Sequence, residues 1–500
     1  MNVRAEITSL KRINAHAVGY FIHEDESLFK ESLKKLWSVF GKKIDSVVDL
    51  HRFTGKENQI LMILTDRKIR APRLLLIGLG KREKCALERY RQASASAAKH
   101  AKEEHCSSLA FMTNPPLPSH ECGSLYDLVT AITEGALLSL YSFDKYQTRK
   151  DPGSTKVSEI IISSEDRENE KVIRKGVHDA TILCEGTMFA RDLENAPANE
   201  IYPETLAAAA KKSADRYGYS ITIWDKKRIE KEGFGGLLAV NAGSNHPARF
   251  IYLEYNNKKE LPMVVLVGKG ITFDAGGISI KPASGMSEMK MDMSGAAAVI
   301  GTFETAARLK LPVHLIGLVP STENLLGGSA MRPGDIITHY GGLTSEVDNT
   351  DAEGRLILAD ALAYASTLKP DIVIDLATLT GACVVALGQH ATGMMGNSDE
   401  LMQQLKKAGE RTYERVLELP LFEEYEKQIK SDIADVKNVG GRWAGAITAA
   451  LFLKKFIGKY KWVHLDIAGT AILEENLPYA PKGGSGVGVR LLTEFLKGLR

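Results

Sequence analysis

Residues 348–356, Asp348-Asn349-Thr350-Asp351-Ala352-Glu353-Gly354-Arg355-Leu356, set three carboxylates and a guanidinium side by side. Asp351 and Glu353 are two apart, so on an extended segment they face the same side. Gly354 permits a sharp turn or a close backbone approach. An apolar helical pattern follows at once (Leu356, Leu358, Ala359, Leu362, Ala363, Ala365). The acids could therefore simply cap the free N–H groups of a helix and sit in its dipole. Upstream lie more groups of the same kind: Lys269, Asp274, Lys281 and Asp292. The carboxylates of Asp274, Asp292, Asp351 and Glu353, brought together, would repel, and without counter-charge some would have to protonate. Lys269, Lys281 and Arg355 offset part of that repulsion, and bound divalent cations offset it better. A carboxylate set without histidine or cysteine favours Mg²⁺ or Mn²⁺ on hardness, with Zn²⁺ open. Two such ions about 3.5–4 Å apart could activate a water and polarise a carbonyl. The competing reading is a group of surface ion pairs. Lys269 and Asp274 weigh against it, because they follow an apolar strand within glycine-rich backbone.

The elements that must position these groups alternate between strand and helix. Met263–Val267 (MVVLV) reads as a buried strand running into Gly268-Lys269-Gly270. Gly295–Leu309 and Arg355–Leu368 read as helices, and Val313–Val319, Asp371–Leu379 and Trp462–Ile467 as strands. Gly441–Ile457 and Val489–Leu499 close the pattern as helices. Open α/β sheets bind ligands beyond the carboxyl ends of their strands, which is where the candidate residues fall. The first 160 residues repeat the alternation, with strands at Ala15–Ile22, Ile60–Leu64, Leu74–Gly78, Ser108–Met112 and Val157–Ser163. Helices are expected at Ser27–Phe40, Glu83–Glu104 and Tyr126–Tyr141. Tyr146–Lys156, with Pro152-Gly153, is the best linker candidate, and Asn169–Asn195 reads as one long helix stopped by Pro197. The fold class expected is α/β in two domains. A smaller N-terminal α/β domain spans 1–160, a connecting helix 161–195, and a larger α/β domain with a mixed, mostly parallel sheet flanked by helices 196–500. Gly78-Leu79-Gly80 follows a strand but lacks the third glycine of a dinucleotide fingerprint.

The segment Asn349-Thr350-Asp351-Ala352-Glu353-Gly354-Arg355-Leu356 resembles the octapeptide of the leucyl aminopeptidases, the cytosol aminopeptidase family of metallopeptidases. The likeness extends to Val267–Asp274, Gly276–Pro282, Lys290–Ala297, Arg332–Asp335, Ala444–Ala450 and His464–Gly469. It is strong over about residues 190–500 and weak before 160, where the family varies. The resemblance implies a two-metal aminopeptidase that removes N-terminal residues, preferably leucine, from peptides with a free N-terminus. It implies one metal, Mn²⁺ or Zn²⁺, on Lys269, Asp274, Asp292 and Glu353, and a second on Asp274, Asp351 and Glu353. Lys281 would steady the oxyanion. Arg355 would hold a bicarbonate general base, cradled by backbone of Ala352, Gly354 and Leu379. Met289, Thr378, Leu379 and Ala468 would line the pocket for the substrate's first residue. A homohexamer, a dimer of trimers, is also implied, with an assembly or regulatory role for the N-terminal domain. One departure is Ala275, where the family commonly has serine; no ligand position is touched by it.

Bulk numbers bound the alternatives. The 500 residues carry 64 basic and 62 acidic side chains, a net charge of +2. That balance gives no electrostatic case for nucleic acid or an anionic membrane. It weighs against a bifunctional peptidase that also binds DNA, the alternative that some relatives suggest. A two-metal phosphoesterase is disfavoured by the absence of a histidine cluster. The five cysteines (Cys85, Cys106, Cys122, Cys184, Cys383) form no CxxC pair and suit a reducing compartment. The first residues carry no apolar signal core, and no run nears the ~18 apolar residues of a membrane span. Cytoplasmic residence is the expectation.

Overall fold

The computed structural model describes residues 1–84, 86–113, 123–148 and 156–499. Residues 149–155 of the linker candidate, Cys85 and Cys122 lie outside them. The chain divides into two compact units, Met1–Glu185 with Glu475–Pro481, and Gly186–Glu474 with Lys482–Arg500.

The first unit is built on six strands: Asn2–Ile7 (β1), Ala17–Ile22 (β2), Ile60–Leu64 (β3), Arg73–Gly78 (β4), Ser108–Met112 (β5) and Glu159–Ser164 (β6). Their order is β1-β6-β5-β2-β4-β3, parallel except for the β3–β4 pair. The central strand β2 (AVGYFI) is buried throughout, which is why it reads as an unbroken apolar run. Two elements escape the sequence pattern. β1 alternates apolar with charged residues at a sheet edge, where Arg4 pairs with Glu159 at 2.9 Å. Helix Lys43–Leu50 is two turns long and buries only Ile44 and Val48. No helix among the described residues is long and apolar enough to cross a membrane.

The second unit carries the remaining strands. Ser220–Trp224 (β7), Arg249–Tyr255 (β8), Met263–Gly268 (β9), Gly270–Asp274 (β10) and His314–Asn324 (β11) come first. Ile336–Thr338 (β12), Thr344–Glu346 (β13), Ile372–Ala377 (β14), Thr392–Gly396 (β15) and Val416–Glu418 (β16) follow. Val436–Lys437 (β17), Lys461–Asp466 (β18), Ile472–Leu473 (β19) and Gly483–Gly484 (β20) complete the set. The main sheet runs β16-β15-β18-β14-β9-β11-β8-β7, with β10 also paired to β11. Its centre, β18-β14-β9-β11, is parallel. A small sheet, β12-β13-β17, stands apart. Val265 and Val267 of β9 join an apolar cluster with Leu358 and Leu362, while Val264 and Leu266 on the opposite face are equally buried. The strand is thus covered on both faces. Each such side chain contributes about 1.5–3 kcal/mol by leaving water. Helices Ser294–Leu309 and Gly354–Leu368 both pack on β9 and β11, which fixes where their N-termini meet the carboxyl ends of the parallel strands.

Candidate metal centre

Lys269 is the single residue between β9 and β10, and Asp274 ends β10. β11 runs on past Val319 to Asn324 because β10 pairs with it, in a register that sets Asp274 opposite Asn324. Asn324 Nδ2 donates to Asp274 Oδ1 at 2.8 Å, and Gly276 N donates to the same oxygen at 2.9 Å. The turn that follows takes Gly276 and Gly277 through φ of +87° and +66° and returns Lys281 to the carboxylates. Asp292 precedes the helix Ser294–Leu309; Asp351 and Glu353 precede Gly354–Leu368; Thr378 and Leu379 follow β14; Ala468 follows β18.

The five residues proposed as ligands converge. Lys269 Nζ lies 2.8 Å from Asp292 and 2.9 Å from Glu353 Oε1, and donates to Thr378 O at 3.0 Å. Lys281 Nζ lies 2.9 Å from Asp274 Oδ2 and 2.5 Å from Asp351 Oδ1. Asp274, Asp351 and Glu353 each offer an oxygen within 4.8 Å of the others. Thr378 Oγ1 donates to Asp292 Oδ1 at 2.6 Å. Gly354 has a specific reason to lack a side chain: a Cβ there would come 2.5 Å from Lys269 Cε and 2.7 Å from its Nζ.

Four carboxylates share two ammonium groups, and the electrostatics record the deficit of positive charge. Burial pushes Asp292 up to about 8, with Lys269 opposing and Glu353 and Asp274 adding to the rise. Burial, then the Glu353 charge, takes Asp274 to about 6. Asp351 is raised by burial against the pull of Lys281. Burial also presses on Glu353, but Lys269 and Lys281 outweigh it and hold that carboxylate below its usual range. The carboxylates in turn hold both lysines well above their usual range, against the cost of burial. Glu353 Oε2 is buried without a hydrogen-bond partner among the described residues. An orphaned acceptor in a carboxylate-rich setting suits a hard dication. Glu353 stands at the N-cap of its helix in a helical conformation and makes no side-chain capping bond. The capping reading therefore fails for Glu353.

Arg355 is 7% exposed; its Nη1 donates to Asn438 O at 2.7 Å and its Nε has no partner among the described residues. Burial draws its guanidinium down to about 10 against the charges of Glu353 and Asp466. Gly354 and Arg355 open the helix, so their N–H groups have no preceding turn to bond. Ala352 N is engaged by Asn349 O at 3.3 Å, and Leu379 N by Asp466 Oδ1 at 3.1 Å. Ala468 N also donates to Asp466 Oδ1, at 3.2 Å, so one carboxylate seats both loops. Met289 lies in the turn Met286–Met291, and Asp292 N donates to its carbonyl at 3.3 Å. Ala275 is buried, and its N–H donates to Asn324 O at 2.9 Å rather than to a ligand oxygen.

Four residues matter that the sequence pattern does not mark. Asn324 orients Asp274. Thr350 Oγ1 donates to Gly276 O at 2.6 Å and accepts from Ser279 N at 2.8 Å, joining the two ligand loops. Asn438 pins Asp348 and Asn349 through Oδ1, and Asn349 O through Nδ2. Asp466 falls in the His464–Gly469 stretch, but nothing in its type or spacing announces a role.

Comparison with known proteins identifies the family. The sequence pattern described as "Cytosol aminopeptidase family, catalytic domain" matches residues 188–493, and the family's N-terminal domain matches residues 17–150. A probable cytosol aminopeptidase of Geotalea uraniireducens (strain Rf4) is 44% identical over 484 residues, covering 97% of this chain and 96% of that one. One from Aquifex aeolicus (strain VF5) is 42% identical over 499 residues, 99% of this chain and 98% of that one. Among solved structures, a lysine-to-glutamate mutant of tomato leucine aminopeptidase superposes with a TM-score of 0.88 at 32% identity, covering 99% of this chain and 96% of that one. The bottromycin maturation enzyme BotP in complex with Mn does so with 0.85 at 32% identity, covering 98% and 100%. With both of its domain patterns matched and its relatives aligned nearly end to end, this chain belongs to the cytosol aminopeptidase family and is an aminopeptidase, a hydrolase.

Proposed function

We propose that the protein is a two-metal aminopeptidase that removes N-terminal residues, preferably leucine, from peptides with a free N-terminus. The observation that carries this is the approach of one oxygen each of Asp274, Asp351 and Glu353 to within 4.8 Å of one another. Lys269, Asp274, Asp292 and Glu353 would hold one ion, and Asp274, Asp351 and Glu353 the other, with Asp274 and Glu353 shared. Mn²⁺ is favoured by oxygen-donor chemistry and by the Mn complex of the structural relative BotP; Zn²⁺ and Mg²⁺ remain in the test. Bound there, two dications supply Lewis acidity and an activated water.

The chain's own residues do the rest. Lys269 must give up its proton to serve as a ligand, which the adjacent dications favour. Lys281 donates to the oxygen of the scissile carbonyl as charge builds on it, a contribution of about 3 kcal/mol in comparable sites. Asp292 accepts from the substrate's α-amine, which selects unblocked N-termini. Arg355, with the N–H of Gly354 and the backbone of Ala352 and Leu379, would hold a bicarbonate ion, which when bound would supply a general base beside the activated water. Anion binding at a helix N-terminus suits that role. Met289, Thr378, Leu379 and Ala468 line the pocket for the first side chain. The Thr378 hydroxyl is already directed at Asp292, so an apolar guest fits better than a polar one.

We also assign residues 1–160 to a variable domain for assembly or regulation, 161–195 to a connecting segment and 196–500 to the catalytic domain. The same reading has a homohexamer, a dimer of trimers, in the cytoplasm. The decisive experiment is hydrolysis of leucine amide after exhaustive chelation, then after adding Mn²⁺, Zn²⁺ or Mg²⁺, with and without bicarbonate. Loss on chelation and recovery with metal is expected. Full activity in the chelated protein refutes the mechanism.

A further inference from the structure

Away from the metal centre, the second unit holds another constellation with the look of chemistry. His339 Nδ1 lies 3.1 Å from Asp360 Oδ1, and His339 Nε2 lies 2.7 Å from Ser345 Oγ. Serine, histidine and aspartate in that order of contact are the parts of a nucleophilic triad. Burial excludes that use: Ser345 and Asp360 are 0% exposed and His339 2%. Ser345 is also locked in β13, paired with Ile337 on one side and Val436 on the other. No substrate reaches its hydroxyl.

Both ring nitrogens are engaged: Nδ1 donates to the Asp360 carboxylate, and Nε2 shares a hydrogen bond with the Ser345 hydroxyl. Asp360 is further held by Tyr340 N at 3.0 Å and by Leu237 N at 2.9 Å. The Phe456 ring meets the imidazole edge-on, with centroids 4.7 Å apart. A buried polar group satisfied at every contact is rigid and specific.

The imidazole joins the two flanks of the ligand segment. Ser345 precedes the stretch that carries Asp351, Glu353, Gly354 and Arg355, and Asp360 follows it, one and a half turns into the helix. We propose that His339 is a positioning residue: it staples Ser345 to Asp360 and so closes, from behind, the two ends of the segment that presents Asp351 and Glu353. Closing those ends removes conformational freedom that each bound ion would otherwise have to remove. This staple rests on the metal-centre reading above for what the segment presents. It is distinct from the Asn438 contacts, which grip the same segment from its front at Asp348 and Asn349.

The test uses the full chain and three variants. S345A removes one arm of the staple, and H339L removes both. T344A is the neighbouring control, losing only its contact with Asp435. In the chelated protein, amide exchange at residues 348–354 should quicken about tenfold or more in S345A and H339L and stay at the wild-type rate in T344A. By calorimetry, Mn²⁺ should bind S345A and H339L about tenfold more weakly. Turnover of leucine amide at saturating Mn²⁺ should fall while KM holds within about twofold. Unchanged exchange and unchanged Mn²⁺ affinity in S345A overturn the proposal, as does an equal change in T344A. If H339L does not fold, S345A decides. A wild-type protein that takes up no Mn²⁺ refutes the metal centre, and the exchange comparison still decides the staple.

Discussion

Glu353 and Gly354 are adjacent, and each makes a prediction that the other does not. Glu353 Oε1 faces Lys269 at 2.9 Å and Oε2 has no partner among the described residues. Glu353→Gln keeps the shape and removes the charge. Bound metal, measured by elemental analysis, should fall and kcat should drop by ~10²-fold or more, beyond the cost of losing an outer-sphere partner. Near-normal turnover with two metals retained would falsify the bridging role. Gly354→Ala tests geometry instead. Alanine gains at most about 1 kcal/mol in helix propensity. The new methyl meets Lys269 Cε at 2.5 Å and must displace a lysine paired with Asp292 and Glu353, so melting temperature should not rise. A shift near 1 Å costs on the order of 10²-fold in rate, so the variant should be folded and nearly inactive. An active Gly354→Ala protein would show that Lys269 need not occupy this place. At this scale the sequence was most informative where charge is concentrated: acids and lysines on glycine-rich backbone announce a site. Asn324, Thr350 and Asn438 were silent. Asparagine and threonine serve any turn, and their side-chain partners lie far off in sequence: Asp274, Gly276 and Asn349 respectively.

Elements were legible in proportion to the apolar run or periodicity they carry. Helix Pro203–Tyr217 carries both of its signals, opened by Pro203 and stopped by Gly218 in the left-handed region. The expected helix Gly441–Ile457 shrinks to Gly445–Lys454, because Gly441 and Ala444 both take positive φ. β10 and the last turn of β11 were unreadable as strands: their pairing depends on a glycine-rich stretch meeting a polar one, Gly270 with Ser321 and Asp274 with Asn324. The C-terminal segment depends on another buried acid. Glu194 Oε2 accepts from Gly486 N at 2.8 Å, Oε1 has no hydrogen-bond partner among the described residues, and burial pushes the carboxyl up to about 8. Its unfolded value is near 4.3. A folded pKa above the unfolded one gives stability that is complete below about 4.3 and is lost as pH rises through about 8. Between those limits the wild-type melting temperature should decline with pH, and Glu194→Gln, which cannot ionise, should flatten that decline. Parallel melting curves of the two proteins from pH 5 to pH 9 would refute the assignment.

At the scale of the whole chain the two units invite unlike responses to metal. Every proposed ligand lies between Lys269 and Glu353, inside the second unit, and none lies in the six-stranded sheet of the first. A ligand that binds only the folded state stabilises it by about 2.7 kcal/mol at a hundred times its dissociation constant. For a unit of this size that amounts to a melting shift of roughly 5 °C. Metal binding should therefore raise the transition of the second unit. It should also slow amide exchange at 269–281, 291–295 and 348–358, where loops that share an ion lose freedom together. Exchange in β2, β4 and β5 should not change, since those strands hold no ligand and are already buried. Exchange mass spectrometry of the chelated full chain, with and without Mn²⁺, reads both regions in one sample. Protection spread evenly over the two units would mean that the ion acts by general compaction. Protection confined to the three ligand stretches is the outcome that one shared centre requires, because Asp274 and Glu353 cannot bind a common ion unless β10, the turn after it and the start of helix Gly354–Leu368 become ordered at once.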